Sequence, residues 1–202
     1  MDTSTIIALV LAVVVVVVLA IAAAILFYMQ KQRTKQLRSK FGAEYNRAVR
    51  AEGDAKQAEQ VLQERQKRVE KLNIRPLSTE ERDNFAQAWE QEQAHFVDEP
   101  AIALDNADRL VKEVMNVRGY PVDDFEQRVA DVSVDHPAVV QNYRIAHAIA
   151  VRGQREEVST EELREAMIHY RALFADLLHD GGMQPVRRVM VDDRAKARGA
   201  GR

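Results

Sequence analysis

The sequence predicts an all-α chain with one N-terminal transmembrane helix, a charged helical stalk and a compact bundle-like head of about five helices. Three observations point to it. Residues 6–28 form an apolar run with no charged, Gly or Pro residue. Beyond that run, helix start and stop signals recur at short intervals. No segment shows sustained strand alternation between turn residues.

The apolar run comes first. Its 23 residues span roughly 34 Å at about 1.5 Å per residue, enough to cross a hydrocarbon core of about 30 Å. Residues 13–18 are six consecutive valines, poor helix formers in water. In lipid the backbone must satisfy its own hydrogen bonds, so the helix forms regardless. Ile6, Leu11, Val16, Leu19, Phe27 and Tyr28 are the expected membrane-anchoring side chains. Lys31, Arg33, Lys35, Arg38 and Lys40 follow at once and form a cationic collar at headgroup level. Basic residues stay on the cytoplasmic side, which puts residues 1–5 outside the membrane and residues 30–202 in the cytoplasm. The competing reading is a cleaved signal peptide, since Ala20, Ala22 and Ala24 offer small-residue spacing. A signal peptide, however, carries its positive charge before a shorter apolar stretch. Ala8 with Ala12 and Ala20 with Ala24 are small-xxx-small spacings that would let two spans approach, so a homo-oligomer stays open.

Charge is strongly segregated. The formal net charge is −2, yet residues 31–75 hold 13 Lys and Arg against 6 Asp and Glu. Residues 76–182 hold 10 against 22, and residues 183–202 hold 6 against 2. A basic segment beside the bilayer suits an anionic leaflet, at about 1 kcal/mol per basic residue near the surface. The acidic head lacks the basic face that phosphate neutralisation needs, which argues against nucleic acid as a partner. With no cysteine, a disulfide framework and a thiolate metal site are both excluded.

The stalk, residues 29–75, places Leu37, Phe41, Tyr45 and Ala48 on one helical face. Gly53-Asp54 interrupts or bends it. Ala58, Leu62, Arg65, Val69 and Leu72 then resume a narrow stripe suited to one partner helix. A short coiled coil, a helix lying on lipid and a spacer folded back on the head are all compatible with that stripe. Pro76 stops the stalk. The head, residues 76–182, opens on Ser78 with Glu81, a capping box. Phe85, Ala88, Trp89, Glu92 and Phe96 share the face of the helix that follows, with Trp89 the expected core anchor. Asp98 reads as the next N-cap with Pro100 in its first turn, and Gly119-Pro121 ends that helix. A short helix is expected from about Asp123 to Val132. Asp135-His136-Pro137 reads as another start signal, before a helix carrying Val139, Tyr143, Ala146 and Ala150. Ser159 with Glu162 caps the last helix, bearing Leu163, Ala166, Met167, Tyr170, Phe174 and Leu177 and ending at Gly181-Gly182. Residues 183–202 are polar, basic and without a period, the pattern of a disordered tail.

Chemistry-bearing patterns are few. Glu92-x-x-His95 has the spacing by which bundle interiors hold metal, but Asp176-x-x-His179 points away from its own apolar stripe, so no metal site is expected. Phosphate-binding glycine loops are absent. His136 and His147 flank the Tyr143 face, where a structural cluster with Asp131, Asp135 and Arg144 is expected. No catalytic residue and no cofactor are indicated. Glu92, Tyr143 and His147 remain as the residues that would line a ligand pocket, if the head has one.

The runs Phe96-Val97-Asp98-Glu99-Pro100, Arg118-Gly119-Tyr120-Pro121, Val134-Asp135-His136-Pro137 and Tyr143-Arg144-Ile145-Ala146-His147 resemble an uncharacterised group of bacterial single-span membrane proteins. The likeness covers span, stalk and head. It implies a shared fold and no activity; the expected location, the bacterial inner membrane, rests on the span and its basic collar. The expected function is accordingly that of a membrane-anchored scaffold or interaction module. Its partners are the lipid bilayer and another protein. The alternative is a small-ligand sensor or enzyme using Tyr143, His147 and Glu92. A rotary-ATPase-type peripheral stalk is a weaker reading, because Gly53, Pro76 and the short helices break any long rod.

Overall fold

The computed structural model describes residues 3–155 and 158–179, with side-chain surroundings from residue 16 onward. The described residues are all-helical and contain eight helices: α1 (Thr3–Phe41), α2 (Ala43–Glu52), α3 (Ala55–Val69), α4 (Thr79–His95), α5 (Pro100–Arg118), α6 (Phe125–Asp135), α7 (Val140–Gly153) and α8 (Thr160–Leu178). The helix stop at Gly181-Gly182 and the tail 183–202 lie outside them, as do the side chains of Ile6 and Leu11.

α1 is one unbroken helix of 39 residues. Its described part includes a stretch long and apolar enough to cross a membrane, none of it buried within the chain. Val16, Leu19, Phe27 and Tyr28 are all more than half exposed. Only at its C-terminal end does α1 enter the fold, where Leu37 and Phe41 are buried.

The predicted stalk stripe is not one continuous helix. Gly42, with φ +51°, breaks it directly after Phe41, a conformation that L side chains rarely adopt. Gly53, with φ +71°, caps α2, and the Asp54 carboxylate accepts from Gln57 N at the start of α3. The chain therefore reverses twice. Residues 56–63 of α3 lie beside residues 26–33 of α1, and residues 63–66 beside residues 33–40, so α3 runs parallel to α1 and α2 antiparallel to both. Leu37, Phe41, Tyr45, Ala48, Ala58, Leu62 and Val69 still converge, now from three helices, in a small core that Val134 of α6 completes. The stalk thus folds back on the head.

The head comprises α4–α8. Both predicted capping boxes are present, Ser78 with Glu81 and Ser159 with Glu162. α8 packs on α5 and α7 and buries Leu163, Ala166, Met167, Tyr170, Leu173, Phe174 and Leu177. Trp89 of α4 is buried and stacks on Phe174, ring centroids 4.6 Å apart. Two start signals fall elsewhere. α5 is preceded by Glu99 rather than Asp98, because Asp98 N and Glu99 N both still donate to His95 O at the end of α4. Asp135 belongs to the last turn of α6, and α7 begins at Val140 with no side-chain cap. The Asp135 carboxylate instead accepts from the Tyr120 hydroxyl at 2.7 Å.

The linker between α3 and α4 is fastened to the end of α5. Arg75 N donates to Arg118 O at 2.9 Å. Gly119, φ +98°, sits so close to this linker that an added Cβ would meet Asn73 O at 2.6 Å. Here glycine is required twice, for its dihedral and for its size.

Candidate functional site

Of the three residues expected to line a pocket, the structure brings two together. Tyr143 and His147 lie one turn apart on α7, ring centroids 6.3 Å apart. Phe125 of α6 stacks on His147 at 3.7 Å and so occupies the face a ligand would need. Tyr143 is fully buried, and its hydroxyl accepts from Arg128 Nη1 at 3.0 Å. Burial pushes the Tyr143 hydroxyl above its ordinary pKa, more than Arg128 lowers it, so the group is neutral. Glu92 is engaged elsewhere. It accepts from Asn106 Nδ2 at 2.9 Å and stands 3.5 Å from His95.

The expected cluster of His136, His147, Asp131, Asp135 and Arg144 is distributed over separate contacts. His136 Nδ1 is 2.6 Å from Asp176 Oδ2 of α8. His147 Nδ1 is 3.9 Å from Asp108 Oδ1, ion-pair range rather than a hydrogen bond. Asp108 also accepts from the Tyr170 hydroxyl at 2.8 Å and pairs with Lys112. Burial raises the Asp108 pKa, but His147, Lys112 and Tyr170 outweigh it and hold the carboxyl at about 2. These groups tie α5, α7 and α8 together. Among the described residues no group of three or more His, Asp or Glu could hold a metal ion.

Asp131 and Arg144 serve a different junction. Asp131, on α6, is fully buried and accepts from Arg68 Nε of α3 at 2.7 Å and from Gln127. Arg144, on α7, makes a two-pronged contact with the buried Glu44 of α2, its Nη2 2.9 Å from Oε2. Arg65 of α3 stands 3.8 Å from the same carboxylate, and its own pKa is lowered, first by burial. The polarity alternates across the junction: an acid of the stalk meets a base of the head, and the reverse. These partners are 63 and 100 residues apart in the chain, beyond the reach of any local spacing.

The collar is where the fold adds something unforeseen. Because the chain reverses at Gly42, the start of α3 comes back beside α1 at the end of the apolar run. The two helices leave a cleft of about 380 Å³ lined by Leu26, Met29, Gln30, Arg33, Lys56, Glu59, Gln60 and Gln63. A second cleft of about 550 Å³, with Arg33, Gln36, Lys40, Gln63 and Gln66 in its walls, continues from it. Arg38 lies 5.0 Å from the centre of the Tyr45 ring and Lys40 6.0 Å from that of Phe41. Lys31, Arg33, Lys35 and Lys56 have no ion-pair partner among the described residues. Comparisons with known protein families, curated proteins and solved structures each give no match.

Proposed function

We propose that the chain is a single-pass protein of the bacterial inner membrane, with its N-terminus outside and its acidic head in the cytoplasm as a protein-interaction module. The observation that carries this reading is α1 itself. One helix passes without a break from an exposed apolar surface, through a basic collar, to Leu37 and Phe41 in the core. That continuity supports a retained anchor rather than a removable leader. The buried ion pairs of the stalk–head junction support a head held at a fixed attitude to the bilayer. The head's buried polar side chains are largely spent on helix–helix contacts, which favours a surface function over chemistry in the interior.

A contact surface is available. Among the described residues outside α1, Val97, Ile102 and Ile168 are the exposed large apolar side chains, at 82%, 50% and 40%. Ile168 also lines a shallow cleft of about 110 Å³ together with Phe96, Met167, Arg164 and Arg171. Photocrosslinkers at Val97 and Ile168 in living cells should capture one recurrent partner protein, and crosslinkers at Glu113 should not. Recovery of the chain alone, or of the same background from all three sites, refutes the module. Orientation is tested by Ala148→Cys in this cysteine-free chain, which should resist an impermeant thiol reagent in intact cells.

A further inference from the structure

The α1–α3 cleft straddles the boundary where the apolar run ends. Leu26 and Met29, 67% and 48% exposed, form its upper wall at the level of the span. Arg33 lies five residues beyond Tyr28, about 8 Å further along the axis. Lys56 faces the same space from the first turn of α3. An amphipathic slot results, with Lys56 across from Leu26 and Met29 and Arg33 further along the axis, at the depth where a phospholipid changes from acyl chain to phosphate. Gln30, Gln60 and Gln63 add amide groups that can donate to phosphate or glycerol oxygens. Glu59, the single acid in the lining, already accepts from the Tyr45 hydroxyl at 2.9 Å.

We propose that this cleft holds the headgroup of one anionic phospholipid, its phosphate within reach of the long side chains of Arg33 and Lys56 and its acyl chains against Leu26 and Met29. The proposal rests on the membrane-anchored reading and goes further. A bare collar attracts anionic lipid diffusely, whereas a two-walled cleft selects and retains a single molecule. The second wall exists only because Gly42 and Gly53 return α3 to the bilayer surface.

The test uses the full chain in nanodiscs of equal phosphatidylglycerol and phosphatidylcholine, with native mass spectrometry counting the lipid that stays bound. One phosphatidylglycerol should be retained. Arg33→Gln with Lys56→Gln should cut retention roughly fivefold for each charge removed, the equivalent of about 1 kcal/mol per basic residue. Lys31→Gln with Lys35→Gln, which removes equal charge outside the cleft, should leave it within about twofold. Equal loss in both pairs, or equal retention of phosphatidylcholine, overturns the proposal. Displacement by millimolar glycerol phosphate also overturns it, by assigning the cleft to a soluble phosphate ester. Unchanged hydrogen exchange over α2 and α3 in both pairs confirms that the variants are folded. Alkaline carbonate extraction reports separately on the anchor: a chain that resists extraction but retains no anionic lipid refutes the cleft alone.

Discussion

Replacing Arg144 by Ala strips the buried Glu44 carboxylate of its two-pronged partner. Glu44 keeps only 4% of its side-chain surface exposed, so water cannot take the place of the guanidinium. Breaking a buried pair from one side costs about 3–5 kcal/mol, because the orphaned charge stays desolvated. Arg65 remains at 3.8 Å and Arg144 is itself 12% exposed, which places the loss at the lower end, about 3 kcal/mol. The effect should be local. Glu44 joins α2 to α7, so opening of the α2–α3 hairpin should become roughly 150-fold more frequent at about 1.4 kcal/mol per decade. Hydrogen exchange of the full chain in detergent measures it directly. Amides of α2 and α3 should lose about two decades of protection while those of α5 and α8 change little. Glu44→Met with Arg144→Met should cost less than Arg144→Ala, since no charge is left unpaired. A uniform loss over all helices, or no loss in the hairpin, would show that the junction does not depend on this pair.

Two further perturbations probe the head. Gly119→Ala forces a Cβ to 2.6 Å from Asn73 O at φ +98°, so it should destabilise by at least about 2 kcal/mol. Gly53→Ala, at φ +71° with open space around it, should cost only about 1 kcal/mol of backbone strain. Comparable melting temperatures for the two variants would contradict the close approach. Asp108 has its folded pKa depressed from 3.8 to about 2. Its contribution, roughly 2 kcal/mol, is therefore fully present above about pH 4 and is lost as the pH falls through 2. Asp108→Asn should flatten the fall of stability between pH 4 and 2, and an unchanged slope there would remove Asp108 from the account.

Much of the fold was legible because its signals are local. Ser78 with Glu81, and Ser159 with Glu162, satisfy one another within a single turn, so four residues contain the whole argument. The stripe on α8 was likewise readable, since burial on one face leaves a period in the chain. Asp98 and Asp135 show the limit of such reading: each resembles a cap, but one is taken up by the turn closing α4 and the other by Tyr120. Gly42 was overlooked because a single glycine between two helical stripes is equally compatible with one continuous rod. Only its φ of +51° reveals the reversal.

The chain alone determined that this protein is helical, that one segment is apolar enough to cross a bilayer, and that charge changes sign along its length. Those properties are sums over neighbouring residues. Tertiary structure decided that Glu44 finds Arg144, that Arg68 finds Asp131, and that Lys56 returns to line one cleft with Arg33. Charged side chains occur along most of the sequence, and pairing two of them across 100 residues leaves no periodic trace. Which acid meets which base is fixed only when the helices between them have packed.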